Sequence, residues 1–262
     1  MDQEIRDFYA RGFERERLRG GNGRLELLRT QEVVRRFLAP RSRVLDVGGA
    51  TGVHAEWLAA DGHDVLVVDP VPSHVEAAAA LPGVSAVVGD ARDLPDDGPF
   101  DVVLLLGPLY HLLERDDRVR AWREASRVLR PGGVVAGAVI GRLAALHDGL
   151  RKEFPLDTRY RALVEHSMAT GEHLPPADTP WFTTAYFHRP EEAADEARAA
   201  GLDVVGTFGL EGAAWMLPNA DLDALYDDPV RFEYLMWSLR ETESEPSVLG
   251  ASAHLIAVAA KP

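Results

Sequence analysis

One segment constrains the fold more than any other. In Val44-Leu45-Asp46-Val47-Gly48-Gly49-Ala50-Thr51-Gly52 an apolar strand passes without a spacer into a turn of small residues, and a helical run follows from Val53 to Ala60. Small residues in such a turn let a ligand approach the backbone closely. A strand that feeds a helix this abruptly belongs to a βαβ unit. The rhythm continues downstream. Apolar runs at 43–47, 64–68, 84–88, 100–106 and 134–140 read as strands, and 100–106 is apolar on both faces, as a central parallel strand requires. Helices are predicted at 53–60, at 73–80 with Ser73 as the cap, and at 115–130, stopped by Pro131-Gly132-Gly133. Right-handed crossovers turn this alternation into a doubly wound α/β sheet with helices on both faces.

The flanks are different. Residues 2–19 are charged but carry Phe8, Tyr9, Phe13 and Leu18, the pattern of a helix with one apolar stripe. Gly20-Gly21-Asn22-Gly23 is expected to break it before a second helix at 24–38, ended by Pro40. Residues 141–189 are rich in His, Pro and aromatics, including Trp181, Phe182, Tyr186 and Phe187. They predict a helical insertion followed by a loop over the carboxyl edge of the sheet. A helix at 190–201, a strand at 202–210, a helix at 219–241 and an alternating strand at 251–260, antiparallel to its predecessor, then complete the sheet. The whole of 1–262 reads as one domain.

Composition narrows the partners. The chain has 28 Lys+Arg against 42 Asp+Glu, a formal charge of −14, and that field repels phosphate backbones and anionic lipid. With no cysteine, disulfides, thiolate catalysis and Cys-based metal sites are excluded. The charged start lacks the apolar core of a signal peptide, and no apolar run approaches the ~18 residues of a membrane helix, so the cytosol is the default compartment. The 9 histidines are scattered, with no H-x-x-x-H or H-E-x-x-H, and no metal is expected. His54, His63 and His74 look incidental. The tracts 193–200 and 220–239 suit either core packing or self-association, leaving monomer and homodimer open.

Three acids follow three predicted strands. Asp46 precedes the small-residue turn and argues for a cationic or hydroxylated ligand group. Asp69 ends the second strand, where an acid accepts from both hydroxyls of a ribose. Gly89-Asp90-Ala91-Arg92-Asp93-Leu94 follows the third. A dinucleotide site would instead need G-x-G-x-x-G from Gly48, and Ala50 and Val53 stand at the second and third glycines.

From about Arg43 to Ile140 this arrangement resembles the class I S-adenosylmethionine-dependent methyltransferases. Asp46-x-Gly48-x-Ala50-x-Gly52 is similar to the family's glycine-rich loop, with Ala50 where a glycine is usual. Phe100 to His111 is similar to its fourth-strand motif and Pro131-Gly132-Gly133 to the turn before its fifth strand. The resemblance implies a Rossmann-like seven-stranded sheet, mostly parallel with an antiparallel last strand, and S-adenosylmethionine as cofactor. Gly48, Gly49, Ala50 and Gly52 would meet its methionine part, with Leu106 and Gly107 accepting from its ammonium. Asp69 and Pro70 would lie at the ribose, and Asp90, Ala91 and Arg92 at the adenine.

The run Gly107-Pro108-Leu109-Tyr110-His111 stands where amino-methylating nucleic-acid enzymes carry Asn/Asp-Pro-Pro-Tyr, and Gly107 lacks the side chain that accepts from the amine. That departure and the acidity argue against nucleic acid. The same run, with Glu16-Arg17-Leu18 and Leu25-Glu26-x-x-Arg29-Thr30, resembles a bacterial small-molecule subgroup whose N-terminal helices, here 1–40, fold over the cofactor as a lid. It implies Tyr9, Glu26 and Arg29 as further cofactor contacts. The expected reaction is methyl transfer to O or N, or C, of a small organic molecule under the 141–189 insertion. It is driven by positioning and desolvation, with a base only where the acceptor must lose a proton. His111 and Tyr110 are the first candidate bases and Tyr186 and His188 the second. Trp181 and Phe182 are candidates for stacking on an aromatic acceptor. The competing readings are a protein methyltransferase and a non-catalytic cofactor-binding module.

Overall fold

The computed structural model describes residues 17–152 and 154–262. Tyr9 and nearly all of the helix expected at 2–19 lie outside the described residues. The chain runs α1 (Gly21–Arg35), β1 (Arg43–Val47), α2 (Val53–Ala60), β2 (Asp64–Asp69), α3 (Pro72–Ala79), β3 (Val84–Val88), β4 (Phe100–Leu105), α4 (Arg115–Val128) and β5 (Leu129–Gly141). It continues with α5 (Ala144–Lys152), α6 (Thr158–Thr170), β6 (Glu172–His173), β7 (Ala185–His188), α7 (Glu192–Ala199), β8 (Asp203–Gly209), α8 (Asn219–Tyr226), α9 (Pro229–Thr242), α10 (Pro246–Leu249) and β9 (His254–Ala260).

β1 to β5 are parallel in the order β3-β2-β1-β4-β5, and β9 pairs antiparallel with both β5 and β8. Each crossover returns the chain to the same edge, so β1, β2, β3 and β4 all end on one side of the molecule. Successive residues of a central strand serve opposite cores, as the pleat demands. Leu45 and Val47 of β1 join Trp122, Ala125 and Ala197 on one face. Val44 joins Val33, Ala55, Leu58 and Ala78 on the other.

The sheet has nine strands, not the expected seven. The two extra strands come from the insertion, where a loop was expected. Pairing of β4 with β5 stops at Gly137, and β7 takes up β5 beyond it, at Ile140 and Gly141, with β6 pairing to β7 in turn. Open backbone donors and acceptors at the end of a long strand recruit a partner. The Pro131-Gly132-Gly133 turn falls inside β5. Leu129 pairs with Phe100 and Val134 with Val102, so the turn is accommodated as a bulge.

Three boundaries differ from expectation. Gly21-Asn22-Gly23 do not break the chain but open α1, with Gly21 at φ +52. Gly23 is required there because a Cβ would lie 1.9 Å from the Arg17 carbonyl oxygen. Ser73 does not cap α3, which begins at Pro72 with no side-chain cap, while Asp69 accepts from the Val71 amide at 2.9 Å. The helix expected at 219–241 is split by Pro229, and the Asp228 side chain caps the second half through the Val230 and Arg231 amides. Among the described residues no helix is long and apolar enough to cross a membrane.

Gly137 tests the packing of α4 on the sheet. A Cβ there would lie 2.4 Å from Cη2 of the fully buried Trp122. Gly137→Ala is expected to lower the free energy of unfolding by about 1–3 kcal/mol. Gly250→Ala, which meets nothing within 4 Å at φ −67, should shift it by less than about 0.5 kcal/mol. Urea midpoints at unchanged slope are the measure, and equal midpoints for the two variants would refute the packing argument.

Candidate active site

The three acids singled out by sequence converge. Asp46 is the penultimate residue of β1, Asp69 ends β2 and Asp90 follows β3, and all three line one cavity of about 130 Å³ at the carboxyl edge. Gly48, Gly49, Ala50, Pro70, Ala91, Leu106 and Gly107 also line it. The floor is made by close backbone approach. A Cβ on Gly107 would lie 3.0 Å from the Gly48 carbonyl oxygen, and a Cβ on Gly49 2.6 Å from Asp46 Oδ2. Ala50 takes φ +48, the left-handed region that costs a Cβ-bearing residue about 1–2 kcal/mol, which is the physical reason a glycine is usual there. Its amide donates to Asp69 Oδ2 at 3.0 Å, which holds the turn.

The three carboxylates differ in state. Asp46 is buried and neither of its oxygens has a hydrogen-bond partner. Burial, followed by the nearby Asp69 charge, pushes its carboxyl up to about 7. Asp69 is engaged on both oxygens, accepting from the Val71 amide and lying 3.1 Å from His74 Nδ1 through Oδ1, yet a carboxylate has about four acceptor sites and keeps capacity for hydroxyls. Asp90 is gripped by the Arg92 side chain at 2.8 and 2.9 Å, which holds its carboxyl down at about 2. These features fit S-adenosylmethionine: an orphaned acid for its ammonium, a glycine-floored cradle and an acid at the ribose position.

A second cavity of about 630 Å³ abuts the first, and Arg17, Glu26 and Tyr110 line both. The insertion supplies much of its wall, including Phe154, Tyr160, His173, Trp181 and Phe182. His111 lines the smaller cavity, its Nδ1 3.3 Å from the Thr184 carbonyl oxygen and its ring stacked 6.1 Å from Phe182. Burial pushes the imidazole down to about 4, against that hydrogen bond, so the ring is neutral at physiological pH. With Nδ1–H on Thr184, Nε2 carries the lone pair.

Several expected residues lie elsewhere. Tyr186 and His188 line neither cavity. Tyr186 packs under the Arg118 guanidinium at 3.7 Å, and His188 lies 3.5 Å from Glu196, inside a buried ionic network between α4 and α7. The reason is the pairing of β7 with β5, which fixes their side chains against the helix layer. Arg29 is fully buried but also off the cofactor cavity, donating to the Leu210 carbonyl and pairing with Glu32 and Glu243. Arg92 acts through Asp90, and Gly52 shapes the start of α2 at φ +86 without lining the cavity.

Other groups arrive unannounced. His74, read as incidental, reaches Asp69 from the first turn of α3, and its place five residues after the β2 acid, at the start of a helix, is the local signal for it. His54 also lines the smaller cavity, with burial pushing it down to about 4. Glu26, Glu211 and His254 place potential metal-ligating atoms within 4.8 Å of one another. Their charges already match. Burial of Glu26 is outweighed by Arg17 and His254, which hold it at about 2, and burial of His254 is outweighed by Glu26 and Glu211, which raise it to about 9. Internal pairing therefore accounts for this cluster. Glu211 and His254 meet only because β9 returns antiparallel, and nothing local in the sequence marks them.

A family model described as a methyltransferase domain matches residues 44–133. An uncharacterized methyltransferase of Mycobacterium tuberculosis is 42% identical over 156 residues, covering 53% of this chain and 61% of the relative. The chain thus spans about three fifths of the length of that relative. A ubiquinone biosynthesis O-methyltransferase of Cereibacter sphaeroides is 28% identical over 194 residues, covering 70% of this chain and 71% of the relative. Among solved structures, a SAM-dependent methyltransferase of Methanosarcina mazei superposes with a TM-score of 0.59 at 16% identity, over 87% of this chain and 96% of the other, and shares the fold. Residues 44–133 thus match a methyltransferase domain, set in a fold shared with SAM-dependent methyltransferases, and S-adenosylmethionine is the cofactor that this likeness implies.

Proposed function

We propose that this protein transfers a methyl group to oxygen or nitrogen, or carbon, of a small organic molecule. The observation that supports this reading is the pair of abutting cavities with Tyr110 and Glu26 in their shared wall, one floored by glycines and acids, the other walled by aromatic rings. A cavity of about 630 Å³ is of the size that suits a small acceptor, whereas an extended protein segment needs a long groove. The likeness to a ubiquinone biosynthesis O-methyltransferase is consistent with an oxygen acceptor.

The cofactor supplies a sulfonium-activated methyl, so the protein's contribution is placement and exclusion of water. In this reading Asp69 accepts from the ribose hydroxyls, and Asp90 with the Ala91 amide meets the adenine edge. The Gly48 to Ala50 backbone, the carbonyls of Leu106 and Gly107, and Asp46 receive the methionine part. Asp46 gives up its proton when a cationic amine arrives. Tyr110 stands where the two cavities meet and aligns the acceptor. His111 Nε2 takes the acceptor's proton where the reaction releases one.

Calorimetry with S-adenosylhomocysteine tests the cofactor site. Micromolar or tighter binding is expected, and Asp69→Ala should weaken it at least tenfold; undiminished binding by that variant would remove Asp69 from the site. Asp46 adds a pH dependence. Its carboxyl is raised in the free protein and must ionise to pair with an ammonium, so affinity rises with pH through 7. Between pH 6 and pH 8 the ionised fraction grows about tenfold, and the association constant should follow. Asp46→Asn should bind more weakly at pH 8 and show no rise.

With an accepted hydroxyl substrate, His111→Ala should lower kcat by about 10²–10⁴-fold. S-adenosylhomocysteine affinity should stay within about twofold. Because burial depresses this imidazole to about 4, the wild-type kcat at saturating cofactor should be level from pH 6 to 8 and fall only near pH 4. An unaltered kcat in the variant would take His111 out of the chemistry.

A further inference from the structure

The larger cavity holds several charges, and they do not cancel evenly. Glu26 is paired with Arg17, Glu211 lies 2.6 Å from His254 Nδ1, and Asp148 lies 2.9 Å from Lys152 Nζ. Arg151 has only a distant share in one carboxylate. Its guanidinium donates to the neutral Asn219 Oδ1 at 3.1 Å and stands 3.7 Å from Asp148 Oδ1, on the carboxylate whose Oδ2 Lys152 binds at 2.9 Å. Its Nε is buried with no hydrogen-bond partner. The Trp215 ring lies 5.6 Å from the guanidinium and gives it an apolar backing. A guanidinium in this state offers a two-pronged site for a planar anion, and its geometry matches a carboxylate.

The rest of the chamber states what that anion is attached to. Phe154, Tyr160 and Trp181 form an edge-to-face cluster with centroids 5.1 and 4.9 Å apart. The polar handles of Tyr160 and of Trp215 are already bound to backbone carbonyls. The Tyr160 hydroxyl donates to the Ala145 carbonyl at 2.5 Å, and Trp215 Nε1 donates to the Ala251 carbonyl at 2.7 Å. These rings therefore present carbon to a ligand. Hydroxyls of a sugar laid on these rings would be desolvated, whereas a flat aromatic body has none to lose on its faces.

We propose that the acceptor is a flat aromatic molecule carrying a carboxylate, with Arg151 binding the carboxylate and the reacting group at the opposite end, beside Tyr110. This rests on the methyl-transfer reading above. Arg151 is then a specificity-determining residue, acting on binding rather than on the methyl-transfer step.

The probes are 6-hydroxy-2-naphthoate, whose hydroxyl and carboxylate lie at opposite ends of a fused ring, and 2-naphthol, which lacks only the carboxylate. Both are titrated into protein saturated with S-adenosylhomocysteine. The naphthoate should bind at least tenfold more tightly than the naphthol. Arg151→Gln should bring the two within twofold of each other while its S-adenosylhomocysteine affinity stays at the wild-type value. Equal affinities in the wild type, a preference that survives Arg151→Gln, or no binding of either probe to the saturated protein would each overturn the proposal. The wild-type comparison stands without the variant. Failure of S-adenosylhomocysteine itself to bind would instead strike the methyl-transfer reading on which the proposal rests.

Discussion

The structure depends on how closely two parallel strands approach where they end. β1 and β4 run side by side, and their chains turn away at Gly48 and Gly107 with no room for a side chain between them. That contact opens the cleft above the sheet, and everything that gives the cleft its chemistry stands on its rim. Asp46 is carried into it from β1, Asp69 from β2, and the Tyr110-His111 turn from β4. An acid buried without a partner, as Asp46 is, persists only where the surrounding fold over-determines its position. Here the position belongs to an interior strand, paired with β2 on one side and β4 on the other.

A second layer of order comes from ions rather than apolar contact. Arg118, buried at 2% exposure, donates to the carbonyls of Leu112 and Leu113 and pairs with Glu196 at 2.7 Å. It thereby ties the end of the Tyr110-His111 turn to α7. The same guanidinium lies over Tyr186, next to the Arg142–Glu192 pair, so the insertion is anchored to the helix layer through one connected network. A buried network of this kind contributes little net stability but makes breaking any one partner costly, which holds a turn in a single arrangement. The residues of the insertion divide accordingly. Trp181 and Phe182 face the large cavity, while Tyr186 and His188 serve the anchor behind it.

Much of this was legible before any coordinates. The five parallel strands follow from apolar runs bounded by turns, and the pattern is cleanest in β1 and β4, which are buried on both faces and have few polar positions to break it. Asp46, Asp69 and Asp90 could be placed at strand ends for the same reason, and the parallel topology then forces neighbouring strand ends to one edge. The insertion was harder to read. His, Pro and aromatic residues carry no period, and β6 and β7 exist only because the unpaired end of β5 recruits them. Arg29 illustrates the same limit. The family resemblance implied a place beside Glu26 in the cofactor pocket, yet its partners, Leu210 and Glu243, are far away in sequence.

The sequence alone determined the βαβ order, the sharp turn after β1 and the acids at the strand ends, since these follow from local pattern and from the handedness of crossovers. Tertiary structure alone decided the occupants of the larger cavity's walls. Glu211 and His254 meet through an antiparallel return across the sheet, and Arg151 faces Asn219 from a helix that sequence could not orient. Side-chain chemistry at long range depends on which faces the packing turns toward one another, and no local spacing encodes that choice.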